Sequence, residues 1–338
     1  MNQSEIDQLK SLLTEPVNAV IVPHKNPDGD AMGSCLGLSH YLKAHGHNAV
    51  VIAPNDYPQF LKWIPGNDEV VIFEYNRMKA LEIMEEADLI FTLDFNDLAR
   101  TGEMENALKE SSKTMVMIDH HQQPKDYAKF VYSDPEICST SQMIYHFLEK
   151  LDDVSSISPQ IATCLYVGIM TDTGSFRFAS TTSTTHRVIA DLIDKGANNS
   201  EIHINVYDNQ SFNRLQLLGQ ALNNLKVIPE YHTAYIILSQ DELNRYQFKK
   251  GDTEGVVNYA LSVQGVKFAL IFIEHRQEGI VKISLRSKCG FDVNQFARNH
   301  FNGGGHINAA GGRSNKSLEQ TIEDFITILP KYKNDLKS

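Results

Sequence analysis

Short unbroken runs of apolar residues, rather than alternating ones, mark the first half of the chain. They are NAVIVP (18–23), NAVVIA (48–53), EVVIF (69–73), DLIFTL (88–93) and TMVMI (114–118). Rich in Val and Ile, they have the pattern of strands buried on both faces of a parallel sheet. Helical periodicity fills the gaps, most clearly over 31–45, closed by Gly46, and over 77–86. This alternation predicts an α/β fold with a doubly wound, mostly parallel sheet. Helices are expected to dominate 139–194. The stretch 195–213 (KGANNSEIHINVYDNQSFN) is polar, Asn-rich and without a clear period, and reads with the following helix as a connection. Beyond it, strands at 232–239, 266–274 and 279–286 flank a helix at 254–263, and the last two strands close as a hairpin across Gln277 and Glu278. The expected organisation is therefore a first domain over 1–194, a connection over 195–222, and a smaller α+β domain over 223–338. No internal repeat or low-complexity segment interrupts it.

Composition adds bounds. With 338 residues, 42% of them hydrophobic and 22% charged, the chain has material for two globular domains with sizeable cores. The opening MNQSEIDQLKSLL lacks the basic and apolar regions of a signal peptide, and no apolar stretch approaches the ~20 residues that span a bilayer. Cys35, Cys138, Cys164 and Cys289 are scattered without a C-x-x-C pair, against both a disulfide framework and a zinc knuckle. A reducing cytoplasm and no membrane partner are the expectation. The net charge of −11, from 31 basic and 42 acidic side chains, disfavours a grip on long nucleic acid, which takes many phosphate contacts along a basic face. An anionic substrate here must be short, drawn in by local arginines and bound metal.

The chemistry begins where the strands end. The first runs into His24-Lys25-Asn26-Pro27-Asp28-Gly29-Asp30, the fourth into Asp94, and the fifth into Asp119-His120-His121. Ligand sites of open parallel sheets form at the carboxyl ends of the strands. Asp172 follows a further apolar run at 162–170. Taken singly these residues have bland explanations: Asn-Pro-Asp-Gly is a strong turn signal, and Asp30 could merely cap the next helix. Taken together they do not, because crowding several carboxylates without a cation costs several kcal/mol. Asp28, Asp30, Asp94 and Asp172 with His24 and His120, and no thiolate, suit Mn²⁺ first, with Mg²⁺, Co²⁺ or Fe²⁺ as alternatives. Six ligands exceed the needs of one tetrahedral ion, so two ions about 3.5–4 Å apart with a bridging carboxylate are expected. Gly29 is expected to let the chain turn so that both neighbouring aspartates face inward.

The second domain ends in FNGGGHINAAGGR, with five glycines between Gly303 and Gly312. It is not a Walker loop, since the chain has no G-x-x-x-x-G-K-[ST]. Consecutive glycines permit a backbone nest for an anion, to which His306 could add a charged hydrogen bond. Upstream, Arg286 in KISLRSK leaves a strand end.

HKNPDGDAMGS, Asp94, the Asp-His-His triplet and MTDTGSFRF resemble, in order and approximate spacing, the motifs of the DHH phosphoesterase superfamily. The resemblance implies that His24 and Asp28 hold one ion, that Asp30, His120 and Asp172 hold the other, and that Asp94 bridges them. It implies that Asp119 orients an imidazole and that His121 faces the substrate phosphate, so that Asp94 and His121 are the catalytic pair. SLRS, the following helix at 292–300 and GGGH are similar to the DHH-associated domain of the nano-RNase and pAp-phosphatase branch. The implied roles are Arg286 and His306 as anion clamps and Gly304 and Gly305 as points of close backbone approach. Arg100 and Arg177 would reach the phosphate, and the active site would lie in the cleft between the domains. The implied activity is metal-dependent hydrolysis of short oligoribonucleotides, of 3′-phosphoadenosine 5′-phosphate (pAp), or of linear or cyclic dinucleotides, by a metal-activated water. A homodimer is implied by the resemblance alone. Two alternatives stand beside it. An inorganic pyrophosphatase of the same superfamily shares the metal motifs but lacks the arginine and GGGH clamp. A non-catalytic nucleotide sensor would have lost metal ligands, and here all six are present.

Overall fold

The computed structural model describes residues 1–288 and 290–337, and its chain divides into two units, Met1–Asn209 and Gln210–Ser338. The first opens with α1 (Gln3–Leu12), β1 (Asn18–Val22), α2 (Gly29–Ala44), β2 (Asn48–Ala53) and β3 (Val71–Ile72). Next come α3 (Arg77–Glu86), β4 (Leu89–Leu93), α4 (Glu105–Glu110), β5 (Thr114–Asp119) and β6 (Phe130–Ser133). Four helices complete it: α5 (Thr140–Lys150), α6 (Pro159–Asp172), α7 (Ser183–Asp194) and α8 (Asn199–His203).

The six strands are all parallel, in the order β3-β2-β1-β4-β5-β6. The order reverses between β1 and β4, and in such sheets the crevice for a ligand opens at that reversal, beyond the strands' carboxyl ends. The unbroken apolar runs follow from burial on both faces. Ala19 and Ile21 of β1 join the core under α2, α5 and α6, whereas Val20 and Val22 join a second core with Ala80 and Met84 of α3.

Helices α2 and α6 pack at very short range because both carry glycine at the contact. A Cβ on Gly29 would stand 2.3 Å from Thr171 Oγ1, and one on Gly33 would stand 2.5 Å from the Cys164 carbonyl oxygen. Gly29 does not serve the turn between Asp28 and Asp30 that its sequence context predicts. Gly29 is the first residue of α2 and has no positive φ. It is required for the approach of α6, not for the turn.

Two further expectations are corrected. The run 69–73 contributes only the two-residue edge strand β3, preceded by a 3₁₀ turn at Asn67–Glu69. The segment 195–222 is largely helical. Asn198 caps α8, a π-turn at Ile204–Asp208 follows, and Ile202 and Val206 enter the first core. Its polar composition reflects capping residues as much as linker chemistry.

The second unit begins with α9 (Phe212–Asn223), capped by Ser211, whose Leu217 and Ala221 are buried. It continues with β7 (Lys226–Ile228), β8 (Thr233–Leu238), α10 (Gln240–Arg245), α11 (Val256–Ser262), β9 (Phe268–His275) and β10 (Ile280–Ser287). Then follow α12 (Val293–His300), β11 (Gly304–His306), β12 (Ala309–Ser314) and α13 (Leu318–Ile328). The sheet order is β11-β12-β10-β9-β8-β7, antiparallel except for β8 with β9. The hairpin expected across Gln277 and Glu278 joins β9 to β10. Strands β6, β7, β11 and β12 escaped the sequence reading because they are short or rich in glycine and charge. Cys35, Cys138 and Cys164 are buried free thiols, and the fourth cysteine, Cys289, lies outside the described residues. Among the described residues no helix is long and apolar enough to cross a membrane.

Candidate metal centre

The carboxyl ends of β1, β4 and β5 place their chemistry at the sheet's reversal point, and α2, α5 and α6 close over it. Asp94 sits at the centre. It follows β4 directly, is buried, and holds a left-handed backbone (φ 66°) while its N–H donates to the Ile118 carbonyl at 3.2 Å. Non-glycine residues adopt that conformation only where the surroundings enforce it, and such residues gather at functional sites.

The two oxygens of Asp94 face different imidazoles. Oδ2 lies 3.4 Å from His24 Nε2, which is itself 3.8 Å from Asp28 Oδ2. Oδ1 lies 3.5 Å from His120 Nε2, which is 3.6 Å from Asp172 Oδ2 and 3.9 Å from Asp30 Oδ2. Ligand atoms of His24, Asp28 and Asp94 lie within 4.8 Å of one another, as do those of Asp30, His120 and Asp172. The paired separations are too long for hydrogen bonds. They suit groups arranged around a shared cation, since ligands about 2.1 Å from a hard divalent ion stand about 3 Å or more apart.

The imidazole tautomers agree. His24 Nδ1 meets the Lys25 carbonyl at 2.9 Å and His120 Nδ1 meets the Ile137 carbonyl at 3.1 Å. A carbonyl only accepts, so Nδ1 carries a proton and Nε2 is turned toward the carboxylates, where a neutral ring would offer its lone pair to a cation. This is the arrangement of a metal-ligating histidine fixed from behind. Without a cation, the groups compensate by shifting their protons. Burial opposes a charge on His24, but Asp28 and Asp94 outweigh it and raise the imidazole to about 10. His120 is raised in the same way, against burial, by Asp94 and Asp172. Burial, then the charges of Asp94 and Asp172, push the Asp30 carboxyl well above its usual range. Burial acts likewise on Asp94, but His120 and His24 hold it well below. A divalent ion held by the same groups would do the work of those protons.

Asp28 and Asp30 are each fixed by a helix N-terminus. Asp28, not Asp30, caps α2: its Oδ1 accepts from the N–H groups of Asp30 and Ala31 at 3.1 and 3.0 Å, which leaves Oδ2 for the cluster. Asp30 accepts from the N–H groups of Thr140 and Ser141 at 2.6 and 2.8 Å, the first two residues of α5. Thr140 Oγ1 donates to Asp94 Oδ1 at 3.0 Å. Neither Thr140 nor Ser141 was singled out from the sequence. Their signal was the Ser139-Thr140-Ser141 run opening a helix, a known anion-binding arrangement.

His121 stands beside the set. Its Nδ1 donates to Asp119 Oδ1 at 2.7 Å, so Asp119 fixes this imidazole rather than that of His120. Burial lowers the His121 pKa, with Asp119 opposing and the Arg100 guanidinium adding to the effect, which places Arg100 within electrostatic reach. The Lys25 N–H donates to the Arg100 carbonyl at 2.7 Å and ties that loop to the end of β1. Asp172 ends α6, and after it Gly174, Ser175 and Phe176 are all left-handed (φ 57°, 60° and 64°). Phe176 packs among Tyr166, His186 and His203, and Ser175 Oγ meets His203 Nε2 at 3.1 Å. Arg177 is exposed and its Nε donates back to the Gly174 carbonyl at 2.7 Å.

The second unit holds the other candidates. Arg286 of β10 and His306 of β11 are both paired in register with Ala309 of β12. Directly opposed residues point to the same face, so both side chains share one face across a small residue, about 9–10 Å apart at the backbone. The glycine segment is a strand of a tight hairpin, not an open nest. A Cβ on Gly303 would stand 1.9 Å from the Gly311 carbonyl oxygen, and one on Gly305 2.5 Å from that of Ala309. The Gly305 N–H is engaged by Asn294 Oδ1 at 3.0 Å, and a Cβ on Gly304 would stand 3.4 Å from the same oxygen.

A doubly wound sheet with buried carboxylates and imidazoles paired across one aspartate defines an α/β protein with a candidate dinuclear metal centre. The profile of the DHH family, N-terminal domain, matches residues 18–169, and that of the DHHA1 domain matches residues 229–334. The chain is 31% identical over 321 residues to a bifunctional oligoribonuclease and PAP phosphatase of Thermus thermophilus, covering 92% of this chain and 90% of that protein. It is 27% identical over 336 residues to a cyclic-di-AMP phosphodiesterase of Bacillus subtilis, covering 96% of this chain and 49% of that protein. The crystal structure of an exopolyphosphatase-related protein from Bacteroides fragilis superposes with a TM-score of 0.95 at 39% identity, covering 100% of this chain and 98% of that one. The chain belongs to the DHH family.

Proposed function

We propose that the chain is a cytoplasmic phosphoesterase that hydrolyses short oligoribonucleotides, pAp or dinucleotides with two divalent cations, Mn²⁺ foremost. The observation that carries this reading is the division of Asp94, one oxygen toward His24 and the other toward His120. His24 and Asp28 would hold one cation, Asp30, His120 and Asp172 the other, and Asp94 both. So held, the cations would supply a water of lowered pKa and positive charge against the phosphate. The chain's own residues do the rest. Asp119 fixes the orientation of His121 through Nδ1, and with the ring protonated its Nε2–H would donate to a phosphate oxygen. Arg100 adds positive charge beside it, and Arg177 extends that charge past Asp172. Arg286 and His306 bind the anionic substrate from one sheet face, with the backbone of Gly304 and Gly305 approaching it beside them. A fixed array of donors of this kind stabilises phosphoryl transfer mainly through position and charge.

The substrate class follows the relative of Thermus thermophilus, covered nearly end to end, whereas the cyclic-di-AMP enzyme is twice the length matched. With Mn²⁺ present, pAp and two- to five-nucleotide RNAs should be hydrolysed far faster than pyrophosphate, and a chelator should abolish turnover. Preference for pyrophosphate would make the chain a pyrophosphatase, and nucleotide binding without turnover in saturating Mn²⁺ would make it a sensor. His306→Ala and Arg286→Ala should raise KM about 10-fold or more each, the scale of losing a charged hydrogen bond. An unchanged KM would remove that residue from the binding surface.

A further inference from the structure

We propose that Thr140 is a positioning residue for the dinuclear centre, its hydroxyl setting the orientation in which Asp94 serves both halves at once; the proposal rests on the two-cation reading above. A carboxylate bridges two groups only when its plane is turned so that each oxygen faces one of them. Among the described residues, the left-handed Asp94 backbone is tied through its N–H to the Ile118 carbonyl, and the carboxylate oxygens stand 3.4, 3.5 and 3.7 Å from the imidazoles of His24, His120 and His121, beyond good hydrogen-bond range. The bond from Thr140 Oγ1 to Asp94 Oδ1, 3.0 Å long and fully buried, supplies the missing restraint.

Thr140 is itself held rigidly. It is the first residue of α5, whose cap Ser139 accepts from the Gln142 N–H at 3.1 Å. Its own N–H donates to Asp30 Oδ2, and that of Ser141 to Asp30 Oδ1. One helical turn thus reads the bridging carboxylate with a hydroxyl and a carboxylate of the second group with two amides. The amides fix Asp30 whatever side chain occupies position 140, so the hydroxyl's effect can be separated from that of the backbone.

Thr140→Val keeps the shape and removes the donor, and Thr140→Ser keeps the donor and removes the methyl. Isothermal titration with Mn²⁺ should give two ions per chain for the wild-type protein. For Thr140→Val, Mn²⁺ affinity should fall about 10–100-fold, the usual scale for losing a group that orients a ligand. The paramagnetic resonance signal of a coupled Mn²⁺ pair should weaken with it. With pApA as substrate, kcat should fall in parallel while KM stays near its wild-type value. Thr140→Ser should restore affinity, signal and kcat. Wild-type Mn²⁺ affinity in Thr140→Val overturns the proposal. Equal losses in Thr140→Val and Thr140→Ser also overturn it, since they trace the effect to packing of the methyl. If the wild-type protein itself takes up fewer than two ions, the two-cation reading fails first and takes this proposal with it. Thermal unfolding of the metal-free variants, expected near wild type, verifies that each is folded.

Discussion

Asp94→Asn should lose hydrolysis by about 10³-fold or more, at least the scale of removing a single group that stabilises developing charge. The substitution keeps volume and burial but replaces one of two acceptor oxygens by a donor. The amide NH₂ can then face His24 or His120, but it cannot ligate beside either. Binding of Mn²⁺ should drop below two ions per chain, and the turnover that remains should not recover at higher metal concentration. Near wild-type kcat with two ions bound would refute the bridging role. The effect should exceed that of losing Asp28 or Asp172 alone, because Asp28 stands beside His24 and Asp172 beside His120, whereas Asp94 faces both imidazoles.

Gly33→Ala and Gly168→Ala should be the most damaging substitutions away from the ligands. At Gly33 the new methyl would lie 2.5 Å from a backbone oxygen, and at Gly168 it would lie 1.9 Å from Ser141 Oγ and 2.8 Å from Asp30 Oδ1. At Gly33 the obstacle is the backbone of α6, so α2 and α6 must part; at Gly168 the Ser141 Cβ itself stands 2.6 Å away, so rotating the hydroxyl is not enough and α5 and α6 must part. Overpacking of this kind costs about 1–3 kcal/mol, and each kcal/mol lowers the unfolding midpoint of a unit this size by roughly 2–4 °C. Gly168→Ala should also weaken Mn²⁺ binding, since the obstructed atoms belong to the group that holds Asp30. Two internal controls exist. At Gly37 the neighbour is the Leu165 side chain, which can rotate away, so Gly37→Ala should be milder. Gly219 in α9 has open space around its Cβ position, so Gly219→Ala should stabilise by about 0.4–1 kcal/mol. Thermal melts of the four variants decide the order. If Gly33→Ala and Gly37→Ala melt alike, the close helix contact is not what these glycines are for.

The site was legible in the sequence to the extent that strand ends announce themselves. Unbroken apolar runs gave β1, β4 and β5, and what followed each run lay at one edge by the rule of parallel sheets. Asp28 and Asp30 were harder. Sequence identifies a turn with two carboxylates but not which one caps, and the answer depends on the amides of α5, more than a hundred residues later. The purpose of Gly29 was misread for the same reason, because its constraint is a neighbouring helix and not its own backbone. Thr140 was invisible as a site residue, since a Ser-Thr-Ser helix start has a sufficient local explanation. In the second unit the pattern itself was weak. Three glycines in a row carry no alternation, so β11 looked like a loop, and only its pairing with β12 reveals a strand.

The three left-handed residues after Asp172 have a consequence for how ligands are met. Two of them, Ser175 and Phe176, carry a Cβ, and that geometry costs roughly 1–2 kcal/mol per residue. The ring of Phe176, wedged among Tyr166, His186 and His203, keeps the segment from relaxing. The expense is therefore met once, while the polypeptide collapses, and not again at each encounter with an anion. Arg177 follows directly on this fixed stretch, its Nε bonded back to the Gly174 carbonyl, so under the proposed function it would meet a phosphate without the entropy of arranging a loop.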